Sequence, residues 1–574
     1  MSQRSGTRVA PDGPEMDPNA AQLVLGRRVY ACHPYRGTAV DALLVRGGRV
    51  LAVGTRRRLR TIAPRGARKL DLGDAWITPG LTDAHTHFFY WALMDGCVVD
   101  VQNTRSLAEA QQRLRRERRP VRGWVLGRGF DVNVWGGGFP SARELDAAVP
   151  DAPCMVRSRD GHVAWLNTAG LHAAGITRRT PDPPGGRYSR DSSGQPDGIV
   201  LEAALDALPN PLAALANSAA PEDQRIVEAA LTRATGIARR LGFTGVHVLD
   251  DAASIRTFQR LRRSGARGLR IAHSVPFDLR AQVYATGLGS GIGDSWFRLA
   301  AIKIFSDGTL GSQTALMLDD YPARPGYRGV GVVHGEALRE AVREAVGQGW
   351  CVWVHAIGDG AVRETIDAIE SATRAGAGAG GGRSRSERAV TRLSSSARRT
   401  VRAHASLPPH RIEHAQCTRP ADVRRMARLG IVASVQPCHL IGDIATADRH
   451  WPDARRFAFP LASLRDAGVT LAMGSDVPVE SIDPRRSFHA AIRRQDETAA
   501  PQRGWFPRER ITAVDVLRGF TQGAAESLGD PSPAGTLMPG APADLTLWGT
   551  DPFRRADGDW LEMPILGSIL ADEL

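Results

Sequence analysis

The chain has 574 residues, 42% hydrophobic and 6% aromatic, with 74 basic against 61 acidic side chains and a formal charge of +13. That length and composition leave room for one large catalytic domain and a smaller one, and the lack of any run of eighteen apolar residues excludes a membrane-spanning class. The charge is local: residues 374–408 carry +7 and residues 111–122 carry +5, so the rest of the chain is near neutral and nucleic-acid binding by the whole protein is not expected.

The opening, "MSQRSGTRVAPDGPEMDPNAAQ", has no apolar h-region and reads as a disordered leader over residues 1–21, with Met16 as an alternative start. Residues 22–77 read as short β-strands, "LVLGRRVYA" and "DALLVRGGRVLAVG", with Gly47-Gly48 at a hairpin turn. The C-terminal segment from Ala534, "AGTLMPGAPADLTLWGTDP", has the same character. A small β-sandwich built from both chain ends, 22–77 and 534–574, is therefore expected. Between them, apolar runs alternate with amphipathic helical patterns: "WITPGLTDAHTH", "GFTGVHVLDD", "LRIAHSV", "RLAAIKIFSDG", "WCVWVHAIGDG", "HRIEHAQ", "GIVASVQPCH" and "VTLAMGSDVP". Eight such runs predict an α/β fold, a (β/α)8 barrel over 78–533, with polar residues gathered at the C-terminal strand ends where barrels place their active sites.

Residues 89–240 are too long for one βα connection and are expected to form an inserted lid after the first strand. The Gly/Ala/Ser/Arg-rich stretch 374–408 is expected to be a disordered surface loop. Near the end of the barrel, "ITAVDVLRGFTQGAAESLG" predicts a helix capped by Thr512 and Asp515, with Val514, Leu517, Ala524 and Leu528 on one side. The six cysteines, Cys32, Cys97, Cys154, Cys351, Cys417 and Cys438, form no CxxC pair and fit free buried thiols in a reduced cytoplasm.

The strand ends carry the chemistry. His85 and His87, one residue apart in "DAHTH", point the same way from a strand. Later runs end in Lys303 with Ser306 and Asp307, in His355, in His414 and in Asp476. Each has an ordinary alternative: a core histidine, a salt-bridging lysine, an aspartate capping a helix. Six residues of these types in this order, each ending an apolar run, are hard to obtain from packing alone and point to a metal centre. Only Lys69 and Lys303 are lysines among the 74 basic residues. A lysine that has reacted with CO2 becomes a carboxylate-like carbamate able to bridge two ions, which arginine cannot do.

At this point the sequence resembles the metal-dependent amidohydrolase superfamily, through "PGLTDAHTH", "KIFSDG", "VHAIGDGA", "RIEHAQ" and "LAMGSDVPV". It is similar in particular to amidohydrolase family 3, through "VWGGGFPSARELDAAVPDAPCMVRSRDGHVAWLN" and "ASVQPCHLIGD", from about residue 22 to 555. This branch includes N-substituted formamide deformylases and long-chain fatty-acid amidases. The resemblance implies one or two Zn2+ ions, or another divalent metal, held by His85, His87, Lys303 as a carbamate, His355, His414 and Asp476. It also implies hydrolysis of a non-peptide carbon–nitrogen bond by metal-activated water, with Asp476 as base and His414 assisting at the carbonyl. The Arg-rich stretch and Val477, where many relatives carry tryptophan, depart from the pattern.

Arg159, His162, Trp165, Asp307, Gln436 and His439 are the candidate substrate contacts. For "RDGHVAWLN", with Asp160-Gly161 at a turn, a structural role with Trp165 as packing stands beside the functional one. His247 and His273 read as core or rim. An ester, a cyclic amide or a deamination target would use the same centre. Nucleic-acid association through the Arg-rich segments is disfavoured by their lack of interleaved aromatics. The partners expected are a small-molecule amide and, as an assembly the sequence leaves open, a second copy of the chain; no membrane is expected.

Overall fold

The computed structural model describes residues 21–31, 40–159, 161–322, 324–379, 407–554 and 559–574. All eight apolar runs form parallel strands of one barrel: β1 (Leu81–Thr86), β2 (Phe243–Val248), β3 (Arg270–Pro276), β4 (Phe297–Phe305), β5 (Val352–Ala356), β6 (Arg411–His414), β7 (Val432–Val435) and β8 (Leu471–Met473). Each pairs with its sequence neighbours, from β8 through to β1. Helices cover the outer face, so the strands are buried on both sides; β2, β5, β6 and β7 have no exposed residue. That double burial is why they read as continuous apolar runs rather than as alternating ones.

The seam between β8 and β1 is closed by side-chain and backbone bonds past the end of β8. Asp476 N–H donates to the His85 carbonyl at 2.8 Å, and Ser475 N–H donates to Asp83 Oδ1 at 3.0 Å. Gly474 makes this approach possible, because a Cβ there would stand 2.6 Å from both Cβ and backbone N of His85.

In the same compact unit, which takes in the described residues up to Phe88 and from Ile237 onward, two four-stranded sheets share one hydrophobic cluster. The first is made of Gln22–Leu25, Ala42–Arg46, Arg49–Gly54 and Arg68–Asp71. The second joins Arg28–Val29 and Trp76–Pro79 to the C-terminal strands Leu545–Trp548 and Ile565–Ile569. Val24, Leu43, Val45 and Val50 from one meet Ile77 and Leu545 from the other. The hairpin turns at Gly47 and Gly48, with φ of 55° and 67°, between paired Arg46 and Arg49; two successive left-handed positions are what a tight two-residue loop needs.

Phe89–Gly236 form a second compact unit. Its six-stranded sheet runs in the order Gly186–Arg190, Pro196–Glu202, Val163–Leu166, Cys154–Ser158, Val125–Phe130, Val98–Asp100. Val99, Leu114, Phe130, Leu145, Val156 and Trp165 make its core.

Three details differ from the sequence expectations. The helix Asp359–Ala379 takes in the first residues of the stretch expected to be a loop from 374; residues 380–406 of that stretch lie outside the described residues, as does the 1–20 leader. The helix after Thr512 forms the expected capping box but is interrupted by a π-turn at Gly519–Gly523, because Gly519 and Gly523 press against Met473 and the Leu471 carbonyl of β8. In that helix Val516 is buried and Val514, expected on the buried side, only partly so. The five described cysteines are free and buried, Cys32 lying outside the described residues. No helix among the described residues is long and apolar enough to cross a membrane.

Candidate metal centre

β1 delivers His85 and His87 to the C-terminal end of the barrel. His85 Nδ1 donates to Glu413 Oε2 at 2.6 Å, and its Nε2 faces Asp476 Oδ1 at 3.3 Å. His87 repeats the arrangement: Nδ1 donates to Asp250 Oδ1 at 3.2 Å, and Nε2 lies 3.5 Å from the same Asp476 oxygen. Two ligand atoms each about 2.1 Å from one zinc ion at a tetrahedral angle stand about 3.4 Å apart. Both nitrogen–oxygen separations match that edge.

β6 supplies two consecutive site residues, Glu413 and His414. Strand alternation would send them to opposite faces. His414 breaks it with a φ of 70°, and Asp476 beyond β8 has a φ of 61°. Left-handed backbone at non-glycine residues costs free energy and concentrates at functional sites. Here it turns both side chains inward. One donor atom from each of His85, His414 and Asp476 lies within 4.8 Å of the others. The His414 ring also stands 4.8 Å from that of His85, 4.5 Å from His355 and 5.9 Å from His439. His439 Nε2 lies 3.5 Å from Asp476 Oδ2.

The electrostatics of these groups suit a cation. Asp476 is buried, yet the imidazoles of His85, His439 and His87 outweigh the desolvation and hold its carboxyl below the usual range. Glu413 is likewise held ionised against complete burial, by Arg411 and His85. Burial alone would strip His85 of its proton, but Asp476 and Glu413 outweigh it and raise its pKa. Burial drives His414 far below the ordinary imidazole range, helped by neighbouring cations, and brings His355 to about 3, so both are neutral donors. Asp476 Oδ1, His414 Nδ1, His439 Nε2 and Lys303 Nζ are all buried without a hydrogen-bond partner. Four unsatisfied polar atoms in one place are costly unless a ligand takes them up. The residues present fit a bound divalent metal.

Lys303 lies on β4 with Nζ 4.4 Å from the centre of the Phe305 ring. Burial lowers its pKa to about 8 despite the pull of Glu413 and Asp476. A lowered pKa leaves more of the amine neutral near pH 7 than an ordinary lysine has. Only the neutral amine reacts with CO2.

Asp307 stands beside the centre, its Oδ1 3.6 Å from His355 Nε2. Asp307, expected to meet substrate, accepts from the backbone N–H groups of Leu316 (2.9 Å), Ile357 (3.1 Å) and Gly358 (2.9 Å), and so pins the loop after β4. Trp165 is 0% exposed in the core of the second unit, its indole N–H donating to the Ser141 carbonyl at 2.8 Å, so the packing role is the one the structure gives it. Arg159 and His162 are exposed on that unit, His162 with Glu202 at 2.9 Å, and Asp160 lies outside the described residues. Gln436 is buried after β7 and donates to the Ser434 carbonyl. His247 and His273 are core residues. Glu413 and Asp250, which orient the two histidines of β1, were not singled out from sequence; their signal is a carboxylate at a barrel strand end beside the ligand set, in "RIEHAQ" and "VLDD".

The profile described as "Amidohydrolase family", number 3 of its series, matches residues 68–560. The chain belongs to the amidohydrolase family. This amidohydrolase is 30% identical over 540 residues to "Protein LONG AFTER FAR-RED 3" of Arabidopsis thaliana, covering 90% of the chain and 85% of that protein. It is 27% identical over 552 residues to the "N-substituted formamide deformylase" of Arthrobacter pascens, covering 92% and 94%. Its fold is similar to that of an uncharacterized metal-dependent hydrolase from Pyrococcus horikoshii OT3, with a TM-score of 0.75 and 23% identity over 95% of this chain and 100% of that one. Family membership makes it a hydrolase acting on carbon–nitrogen bonds.

Proposed function

We propose that this amidohydrolase is a zinc enzyme that hydrolyses a non-peptide amide or an N-substituted formamide. The observation that carries the reading is the buried Oδ1 of Asp476, which has no hydrogen bond and stands 3.3 and 3.5 Å from Nε2 of His85 and of His87. The residues that would hold the metal are His85, His87, Lys303 as its carbamate, His355, His414 and Asp476. A bound divalent ion supplies Lewis acidity, acidifying water and polarising the amide carbonyl. Asp476 takes the proton of the attacking water on its carboxylate and delivers it to the leaving nitrogen. His439, 3.5 Å from Asp476 Oδ2, steadies that carboxylate between the two transfers. His414, neutral and turned inward by its left-handed backbone, faces the carbonyl being attacked. The Arthrobacter relative supports the formamide choice, and the buried, partly neutral Lys303 supports the carbamate, formed from amine and CO2 with release of one proton.

The test is the zinc content of protein expressed with bicarbonate, beside Lys303→Ala, followed by a screen of amides and formamides for amine release. One to two equivalents of zinc, reduced in the variant, together with amine release, are expected. Wild-type protein that takes up no zinc on reconstitution would sink the reading.

A further inference from the structure

Barrels of this kind fill their interior with layers of branched aliphatic side chains, but beneath His85 this one is polar. Arg411 and Glu413, two residues apart on β6 and both 0% exposed, point inward together. The guanidinium grips Glu413 with both arms, Nε to Oε1 and Nη2 to Oε2, each at 2.9 Å. Nη2 also donates to the Ala84 carbonyl of β1 at 2.6 Å and to Ser434 Oγ of β7 at 2.8 Å. Nη1 donates to His247 Nδ1 of β2 at 2.9 Å and reaches Ser527 Oγ at 3.4 Å. The flat face of the guanidinium lies 3.9 Å from the centre of the Trp353 ring of β5, on which His247 also stacks at 5.7 Å. One side chain thus ties together five of the eight strands.

Resting on the zinc-centre reading above, we propose that Arg411 and His247 are positioning residues: with Glu413 they form a buried hydrogen-bonded column that fixes the ring orientation and the tautomer of His85. Glu413 must accept from Nδ1 if Nε2 is to present a lone pair, and the two-armed grip of Arg411 removes the carboxylate's freedom to turn away. His247 can accept from Arg411 only when neutral with its proton on Nε2, so the column specifies a tautomer at its base as well as at its top. A buried ion pair is a poor way to fill a core, since apolar residues of similar volume often do as well or better. Its presence here, joined to a candidate ligand by a 2.6 Å bond, assigns it to orientation.

The test is zinc titration of metal-free protein against a competing chromophoric chelator, with the melting temperature of the metal-free forms measured alongside. Glu413→Gln retains shape and an acceptor oxygen. Arg411→Met combined with Glu413→Gln removes both charges together and leaves no buried charge unpaired, so it guards against a variant that simply fails to fold. Both are expected to bind zinc about 10- to 100-fold more weakly than wild type. Arg411→Lys, which keeps the charge and loses the fork, is expected to fall between. Variants that bind zinc within twofold of wild type, whatever their melting temperatures, would reduce the column to packing. Wild type that binds none would overturn the zinc-centre reading, and the column's role with it.

Discussion

Replacing Asp476 by Asn keeps the side chain's volume and removes both its charge and its basicity. Because two histidines converge on Oδ1 and His439 lies beside Oδ2, the loss falls on proton transfer as well as on binding. We expect Asp476→Asn to lower kcat on any substrate found by about a thousandfold or more, the scale of a positioned general base, with circular dichroism unchanged; activity within tenfold of wild type would refute the role. Asp83 makes a different prediction. Its Oδ1 accepts from His85 N–H at 3.2 Å and Ser475 N–H at 3.0 Å, while Oδ2 is buried without a partner, and burial raises its pKa to about 7. A carboxyl whose folded pKa lies above its unfolded value of 3.8 makes the folded state lose stability as pH rises from about 4 to 7. Asp83→Asn should therefore be more stable than wild type above pH 7 in the metal-free form, the difference shrinking below pH 4. Denaturant melts at the two pH values check it. At this scale the sequence showed the donor types, because each ends an apolar run. It did not show their partners: Glu413 is 328 positions from His85 and Asp250 is 163 from His87, and no local pattern records which carboxylate meets which imidazole.

The strands were legible for a related reason. A barrel strand buried on both faces has little choice but Val, Ile, Ala and Trp, and "VWVHA" and "VASV" carry that signal without any help from periodicity. The seam between β8 and β1 was not legible, since a glycine in "LAMGSD" reads only as a turn until the facing strand is known. Gly474→Ala would place a methyl 2.6 Å from both backbone N and Cβ of His85. Backbone has to move there, so, if the centre binds zinc as proposed, the variant should take up less of it and lose activity even where it folds; zinc uptake equal to wild type would show that the seam relaxes freely. The π-turn at Gly519–Gly523 has the same origin, a helix whose glycines are fixed by contact with β8 rather than by helix propensity.

For the molecule as a whole, the unsatisfied polar atoms at the centre predict that zinc and folding are linked. A ligand that binds only the folded state adds about 2.7 kcal/mol when present at a hundred times its dissociation constant. Zinc should therefore raise the melting temperature of the metal-free protein, and Lys303→Ala should show a smaller rise; calorimetry with and without a chelator reads both. By itself the sequence determined the number and order of the barrel strands and the end at which their polar residues gather, because burial and strand periodicity are local properties written into each short run. It also set out the candidate ligand types, because metal chemistry admits few side chains. Only the tertiary structure decided that Asp307 belongs to a loop's amides and Trp165 to a core, that Glu413 and Asp250 orient the histidines, and that Arg411 binds five strands from within. Those are pairings between residues far apart in the chain, and the barrel, by closing on itself, chooses which of them meet.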